Sequence, residues 1–229
     1  MIIAIDGPAG SGKSTVARLV AEKLGFAFLD TGAMYRAVAW RALERGLALD
    51  DEAALTRIAT DEEIRFGYLA GEHLPSEVFI NEENVTEQIR SPEADLAVSP
   101  VSATLGVRTA LVAQQRRMGA EQDIVMEGRD IGTVVFPEAE VKVFLTASPE
   151  VRAERRYKQN AERLDSGAKG ELMSQEQILA DIIRRDKYDS ERQYSPLKPA
   201  ADALILDTSD MSIEAVVEWI SAKANHEVA

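Results

Sequence analysis

The residues with the most chemical potential lie at the start of the chain. Gly7-Pro8-Ala9-Gly10-Ser11-Gly12-Lys13-Ser14 has the spacing Gly-x-x-x-x-Gly-Lys-Ser. Its glycines let the backbone curl around an anion and aim successive N–H groups at phosphate oxygens. At this spacing Lys13 reaches the β and γ phosphates of a nucleotide, and Ser14 is placed to ligate Mg²⁺. A helix beginning near Lys13 adds the positive end of its dipole at the same point. The expected ATP site is therefore Gly7, Pro8, Ala9, Gly10, Ser11, Gly12, Lys13, Ser14 and Thr15. Such a loop does not say whether the nucleotide is a fuel, a phosphoryl donor or a switch.

Phosphoryl transfer develops charge in its transition state, so its catalysts gather cations where the two substrates meet. Four stretches have that character. In Asp30-Thr31-Gly32-Ala33-Met34-Tyr35-Arg36, Thr31 is the expected helix cap and Asp30 ends a strand. Arg36 follows about one and a half turns into the helix. In Glu127-Gly128-Arg129-Asp130-Ile131-Gly132-Thr133, Arg129 suits an acceptor phosphate. Asp130 suits either a base edge or a water-bridged metal, and a purely structural Arg129–Asp130 ion pair is the alternative. Arg152, Arg155, Arg156 and Lys158 read either as a flap closing over the γ phosphate or as a solvated helix face. Arg185, Asp189 and Arg192 recur on one helix face, as a ribose and phosphate site or as a surface charge ladder.

The elements that must position these residues follow from the apolar pattern. Short β-branched runs at 2–6, 26–30, 123–126, 141–146 and 203–207 alternate with amphipathic stretches at 13–24, 34–45, 98–118, 149–164, 175–187 and 213–224. This is the pattern of an α/β doubly wound parallel sheet. Two stretches depart from it. Residues 64–85 carry Ile64-Arg65-Phe66, Gly67, Gly71 and Val78-Phe79-Ile80, and so read as a short antiparallel insert. Residues 159–172 carry Arg163, Ser166-Gly167-Ala168 and Lys169, a composition suited to a mobile flap.

Composition narrows the function classes. The 229-residue chain has no cysteine, which removes disulfides and thiolate metal sites, and its two histidines, His73 and His226, read as surface residues. A net charge of −13 argues against a broad nucleic-acid face. No apolar run approaches the ~20 residues of a membrane helix, and no leader pattern opens the chain. A cytoplasmic protein without nucleic-acid or membrane partners is expected.

The order of Gly7–Thr15, Asp30–Arg36, Gly128-Arg129-Asp130-Ile131-Gly132-Thr133-Val134-Val135-Phe136-Pro137 and Arg185-Asp186-x-x-Asp189-x-x-Arg192 resembles the bacterial cytidylate kinases, nucleoside monophosphate kinases of the P-loop class. The resemblance spans nearly the whole chain, and the run from Gly128 to Pro137 is its most specific element. It implies a P-loop NTPase-type parallel sheet flanked by helices, in one kinase domain over 1–229. Within it the family has a monophosphate-binding region at 31–100, a small antiparallel β insert at about 62–86 and a mobile lid at 152–172. The implied reaction is ATP and CMP giving ADP and CDP, with dCMP accepted, UMP poor, and Mg²⁺ accompanying ATP. A monomer is expected.

By position, the resemblance assigns Ser99, Arg108 and Asp130 to the cytosine edge, with Arg192 nearby, and Arg185 and Asp189 to the pentose. Thr31, Arg36 and Arg129 fall at the acceptor phosphate, with Asp30 and Tyr35 in the same run. Lys13, Arg129, Arg155 and Arg156 are the implied catalytic cations. Thr31 stands where a serine is usual, and Ser14 where several relatives have glycine. Without the resemblance, Ser99 reads as a cap before Pro100 and Arg108 as an ordinary helix charge. Two rival readings stand beside it. One is a P-loop kinase for AMP, UMP, shikimate or dephospho-CoA. The other is a nucleotide switch, for which Asp186-Lys187-Tyr188-Asp189 is a poor base-recognition segment because it lacks the leading Asn or Thr.

Overall fold

A computed structural model describes residues 1–69, 72, 74–165 and 172–228. The run Ile2-Ile3-Ala4-Ile5 is apolar on both faces, as a central parallel strand must be. It forms β1 (Ile2–Asp6), in which Ile3, Ala4 and Ile5 have no exposed surface. The chain continues through α1 (Lys13–Leu24), β2 (Ala27–Asp30), α2 (Thr31–Glu44) and α3 (Glu52–Asp61). Three short strands follow, β3 (Ile64–Gly67), β4 (Glu77–Ile80) and β5 (Glu83–Asn84). Next come α4 (Pro92–Ala103), α5 (Leu105–Gly119), β6 (Ile124–Gly128), β7 (Val141–Thr146), α6 (Pro149–Asp165), α7 (Gln175–Glu191), β8 (Leu204–Asp207) and α8 (Ile213–Val228).

The main sheet has five strands in the order β2-β6-β1-β7-β8, and every pairing is parallel. Its strands therefore all release their loops at one edge, where open α/β sheets bind ligands. One face is sealed by α1 and α8 through Val16, Val20, Val217 and Ile220. The other carries Leu29, Met126 and Ile131, with Val112 and Met118 of α5 packed against them. A further core joins α2, α3, α4 and α5 to the three-stranded antiparallel sheet β3-β4-β5, so the expected insert is a small sheet of its own. No single helix among the described residues is long and apolar enough to cross a membrane.

Several boundaries differ from the pattern reading. Residues 98–118, expected as one helix, form α4 and α5, bent by 96° around Thr104. Pro100 lacks the N–H that would tie the last turn of α4, and Thr104 takes an extended backbone. Ser99 is not the cap: Ser91 caps α4 by accepting from Ala94 N at 3.2 Å, with Pro92 in the first turn. The helix α3 lies where no element was expected, capped by Asp51 and buried along Ala54, Leu55, Ile58 and Ala59. The helix α6 runs unbroken to Asp165, through the first half of the expected flap. The Ser166-Gly167-Ala168 turn, Lys169, Gly71 and His73 lie outside the described residues.

Candidate active site

The loop after β1 has its shape because its glycines allow it. Gly7 has φ 150°, and a Cβ there would meet Leu145 O at 2.1 Å, so no side chain fits. Gly12 caps α1 at φ 87° without a side-chain hydrogen bond, leaving the first N–H groups of that helix for a ligand. Lys13 Nζ folds back onto Pro8 O at 2.7 Å, 5% exposed. Ala9, Gly10, Lys13 and Ser14 line a cavity at the sheet edge. Gly7, Pro8, Ser11, Gly12 and Thr15 complete the loop without lining that cavity.

The opposite wall is built from two strand ends, those of β2 and β6, and the helices beside them. Asp30, not Thr31, caps α2, its carboxylate accepting from Ala33 N at 2.9 Å and from Arg36 Nη2 at 2.8 Å. The Thr31 hydroxyl instead donates to Glu127 O at 2.7 Å, tying the ends of neighbouring β2 and β6. Just past β6, Arg129 Nε donates to Asp189 Oδ2 at 3.1 Å, so α7 is brought to the sheet edge. Asp130 is buried and pairs with Arg108, whose guanidinium lies 5.3 Å from the Tyr35 ring centroid. Arg192 Nη2 lies 3.9 Å from the same Asp130. Arg108 Nη1 donates at 3.1 Å to Ser102 O, a carbonyl left open where α4 ends.

Thus Asp30, Thr31, Tyr35, Arg36, Arg108, Arg129, Asp130, Arg185, Asp189 and Arg192 share one cavity with the phosphate loop. Ser99 does not line it. Being one turn earlier in a helix that begins at Pro92, Ser99 only accepts the Ser102 hydroxyl on its carbonyl at 3.0 Å, and Val98 and Ser102 face the cavity instead. The flap arginines separate. Arg156 lines the cavity and pairs with Asp95 at 2.8 Å. Arg155 turns to Thr208 Oγ1 at 3.1 Å, behind β8, and does not line the cavity. Arg152 is buried against Ala9 O at 3.0 Å and Asp186 at 2.6 Å, bracing the phosphate loop. The exposed Lys158 pairs with Glu154 at 2.6 Å.

A family model for cytidylate kinase matches residues 3–226. The chain belongs to the cytidylate kinase family. The cytidylate kinase of Pelotomaculum thermopropionicum is 50% identical over 223 residues, covering 97% of this chain and 95% of that protein. The cytidylate kinase of a Geobacter species is 44% identical over 229 residues, 100% of this chain and 94% of that protein. Among solved structures, an uncharacterized protein from Eubacterium ventriosum aligns over 98% of both chains with TM-score 0.55 at 11% identity, a likeness of fold alone.

The electrostatics suit a cytidylate kinase, whose substrates bring several phosphate charges to one point. Seven cationic and five acidic side chains line the cavity, so it is locally positive in a chain of net −13. Burial, then the nearby Arg129, lowers the Lys13 ammonium below its usual range. Burial, then Arg129, lowers the Arg185 guanidinium to about 10, and its Nε has no partner. For Arg36 burial is outweighed by Asp30, Asp95 and Glu127, which raise it. An anion entering here meets cations already assembled, which limits reorganisation on binding.

Three functional candidates were not singled out from the sequence. Glu127, next to the end of β6, lies fully inside the site; burial and then Asp30 raise its carboxyl, the neighbouring Lys13 and Ser14 offset part of that rise, and Oε1 has no partner. Asp6, 5% exposed, accepts Ile131 N and Gly132 N at 2.8 Å each, and so anchors the π-helical turn Ile131–Val135 behind Arg129 and Asp130. Asp95 holds Arg156 across the cavity from α4. The polar residues at strand ends, Asp6 and Glu127, carried a positional signal in the sequence. Asp95 carried none beyond a helix first turn.

Proposed function

We propose that this protein transfers the γ-phosphoryl group of ATP to CMP and dCMP, giving ADP and CDP or dCDP. The supporting observation is a single cavity in which Lys13 and the phosphate loop face Arg36, Arg129 and the Arg108–Asp130 pair, in a member of the cytidylate kinase family. Lys13 and Arg156 neutralise the transferring phosphoryl group, while Arg36 and Arg129 hold the acceptor phosphate as nucleophile. That phosphate is anionic near pH 7, so no strong general base is needed. Arg155 serves the donor nucleotide from its seat beside Thr208 rather than reaching the acceptor. Arg185 and Asp189 hold the pentose, and Ser99 acts through the α4 turn that presents Ser102.

The residues present fit a Mg²⁺ ion accompanying ATP: Ser14 and Glu127 lie together, and the partnerless buried Glu127 Oε1 is an oxygen ligand of the required hardness. Magnesium there would offset charge on the β and γ phosphates. Within one kinase domain, we assign residues 31–100 to the monophosphate-binding region and residues 152–172 to the lid, of which residues 166–171 lie outside the described residues.

ADP release measured side by side with CMP, dCMP, UMP and AMP tests the assignment. CMP and dCMP should exceed UMP and AMP in kcat/KM by up to about two orders of magnitude, the discrimination that follows from the cost of leaving one buried polar group unpaired by the wrong base. Arg129→Ala should lower CMP turnover by about 10²-fold. Turnover within a few fold of the parent would remove Arg129 from the mechanism, and preference for another acceptor would replace CMP.

A further inference from the structure

Ser195 lies in the segment that follows α7 and precedes Pro196, and its φ is 50°. Asn81 and Ser195 are the non-glycine residues with positive φ among those described, and a residue before proline has a further restricted backbone. The conformation lets a single residue offer two acceptors to two arginines. Its hydroxyl accepts Arg108 Nε at 3.1 Å, and its carbonyl accepts Arg192 Nε. Both guanidiniums then turn their Nη edges to Asp130, Arg108 in direct contact and Arg192 at 3.9 Å.

The result is a closed ring, Asp130–Arg108–Ser195–Arg192, drawn from the turn after β6, from α5 and from the chain after α7. Every in-plane edge of Arg108 is used: Nη1 on Ser102 O, Nη2 on Asp130 and Nε on Ser195. Arg192 Nη2, by contrast, is buried without a hydrogen-bond partner. A locked Arg108 fixes Asp130 as an acceptor, and Arg192 keeps a donor in reserve. Cytosine offers an amine donor at the position where thymine or uracil offers a carbonyl acceptor, so a fixed carboxylate favours cytosine.

We infer that Ser195 is a positioning residue for acceptor-base discrimination, aligning Arg108 and Arg192 around Asp130. This rests on the reading of Arg108 and Asp130 as the base-edge residues. Ser195→Gly keeps the backbone carbonyl and accommodates positive φ while deleting the hydroxyl. Ser195→Ala deletes the hydroxyl without relieving the backbone.

Both variants should raise KM for CMP about tenfold or more, as expected for a lost hydrogen bond to a charged group, and lower the CMP-to-UMP ratio of kcat/KM similarly. KM for ATP should stay within about twofold, and Ser195→Gly should melt no lower than the parent. The glycine effect should vanish in an Arg108→Ala background, since the two residues act as a unit. An unchanged CMP-to-UMP ratio in Ser195→Gly, or an equal rise in KM for ATP, overturns the inference. Unchanged selectivity in Arg108→Ala alone refutes the base-edge reading instead, so the two failures are distinguishable.

Discussion

At the scale of single residues, the site is defined by which charged groups have partners and which do not. Arg36, Arg108, Arg129 and Arg156 each have a carboxylate, on Asp30, Asp130, Asp189 and Asp95 respectively. Such pairs hold the cations in place before substrate arrives, which is how preorganisation reduces the cost of charge development. Glu127 differs, since burial raises its carboxyl and one oxygen is unpartnered. Glu127→Gln keeps the shape and removes the charge. It should raise the Mg²⁺ concentration for half-maximal activity by about 10–100-fold, the range seen when groups supporting a metal are altered. A Mg²⁺ titration at saturating ATP and CMP checks this, and an unchanged midpoint would assign Glu127 to structure alone.

At the scale of elements, caps and breaks decide where the side chains point. Asp30 both starts α2 and holds Arg36, so two roles share one carboxylate. Asp30→Ala should cost about 1 kcal/mol through the lost cap, equivalent to a melting-point drop of about 2–4 °C in a chain of this size. Asp30→Asn retains a capping oxygen and should melt close to the parent while losing the charge pair with Arg36. Thermal melts of the two variants separate capping from pairing. The bend at Thr104 acts similarly, because the carbonyl it frees on Ser102 is what Arg108 Nη1 binds. A continuous helix over 98–118 would close that carbonyl and leave Arg108 without this anchor.

At the scale of the whole molecule, Asp6 couples fold stability to pH. Its carboxyl, at the carboxyl end of the central strand, is pushed up from 3.8 to about 6 by burial, against the opposing N–H groups of Gly132 and Ile131. The folded state therefore holds this proton more tightly than the unfolded chain. The contribution is full below about pH 4 and lost as pH rises through about 6, amounting to about 3 kcal/mol. Asp6→Asn should remove that slope. Denaturant midpoints at pH 4.5, 5.5 and 6.5 should fall more steeply for the parent than for the variant, and parallel curves would show that Asp6 titrates normally in the folded protein.

The phosphate loop was readable without coordinates because its geometry is local: Gly7 and Gly12 are required by positive φ within a few residues of each other. The strands were readable for the same reason, since β-branched runs declare themselves by neighbour spacing. The Arg129-Asp130 run and Arg36 were also visible, as charges placed just beyond strand ends. What stayed hidden depends on residues distant in sequence. Arg155 shares its helix turn with Arg156, yet one faces Thr208 and the other Asp95. Capping by Asp30 frees the Thr31 hydroxyl for Glu127 O, 96 residues away. The Arg108–Ser195 bond joins positions 87 apart. The sequence by itself determined that a nucleotide's phosphates are gripped after β1 and that cations gather at the parallel strand ends. Only the tertiary structure decided which cations meet, because that follows from sheet order and helix bends rather than from local spacing.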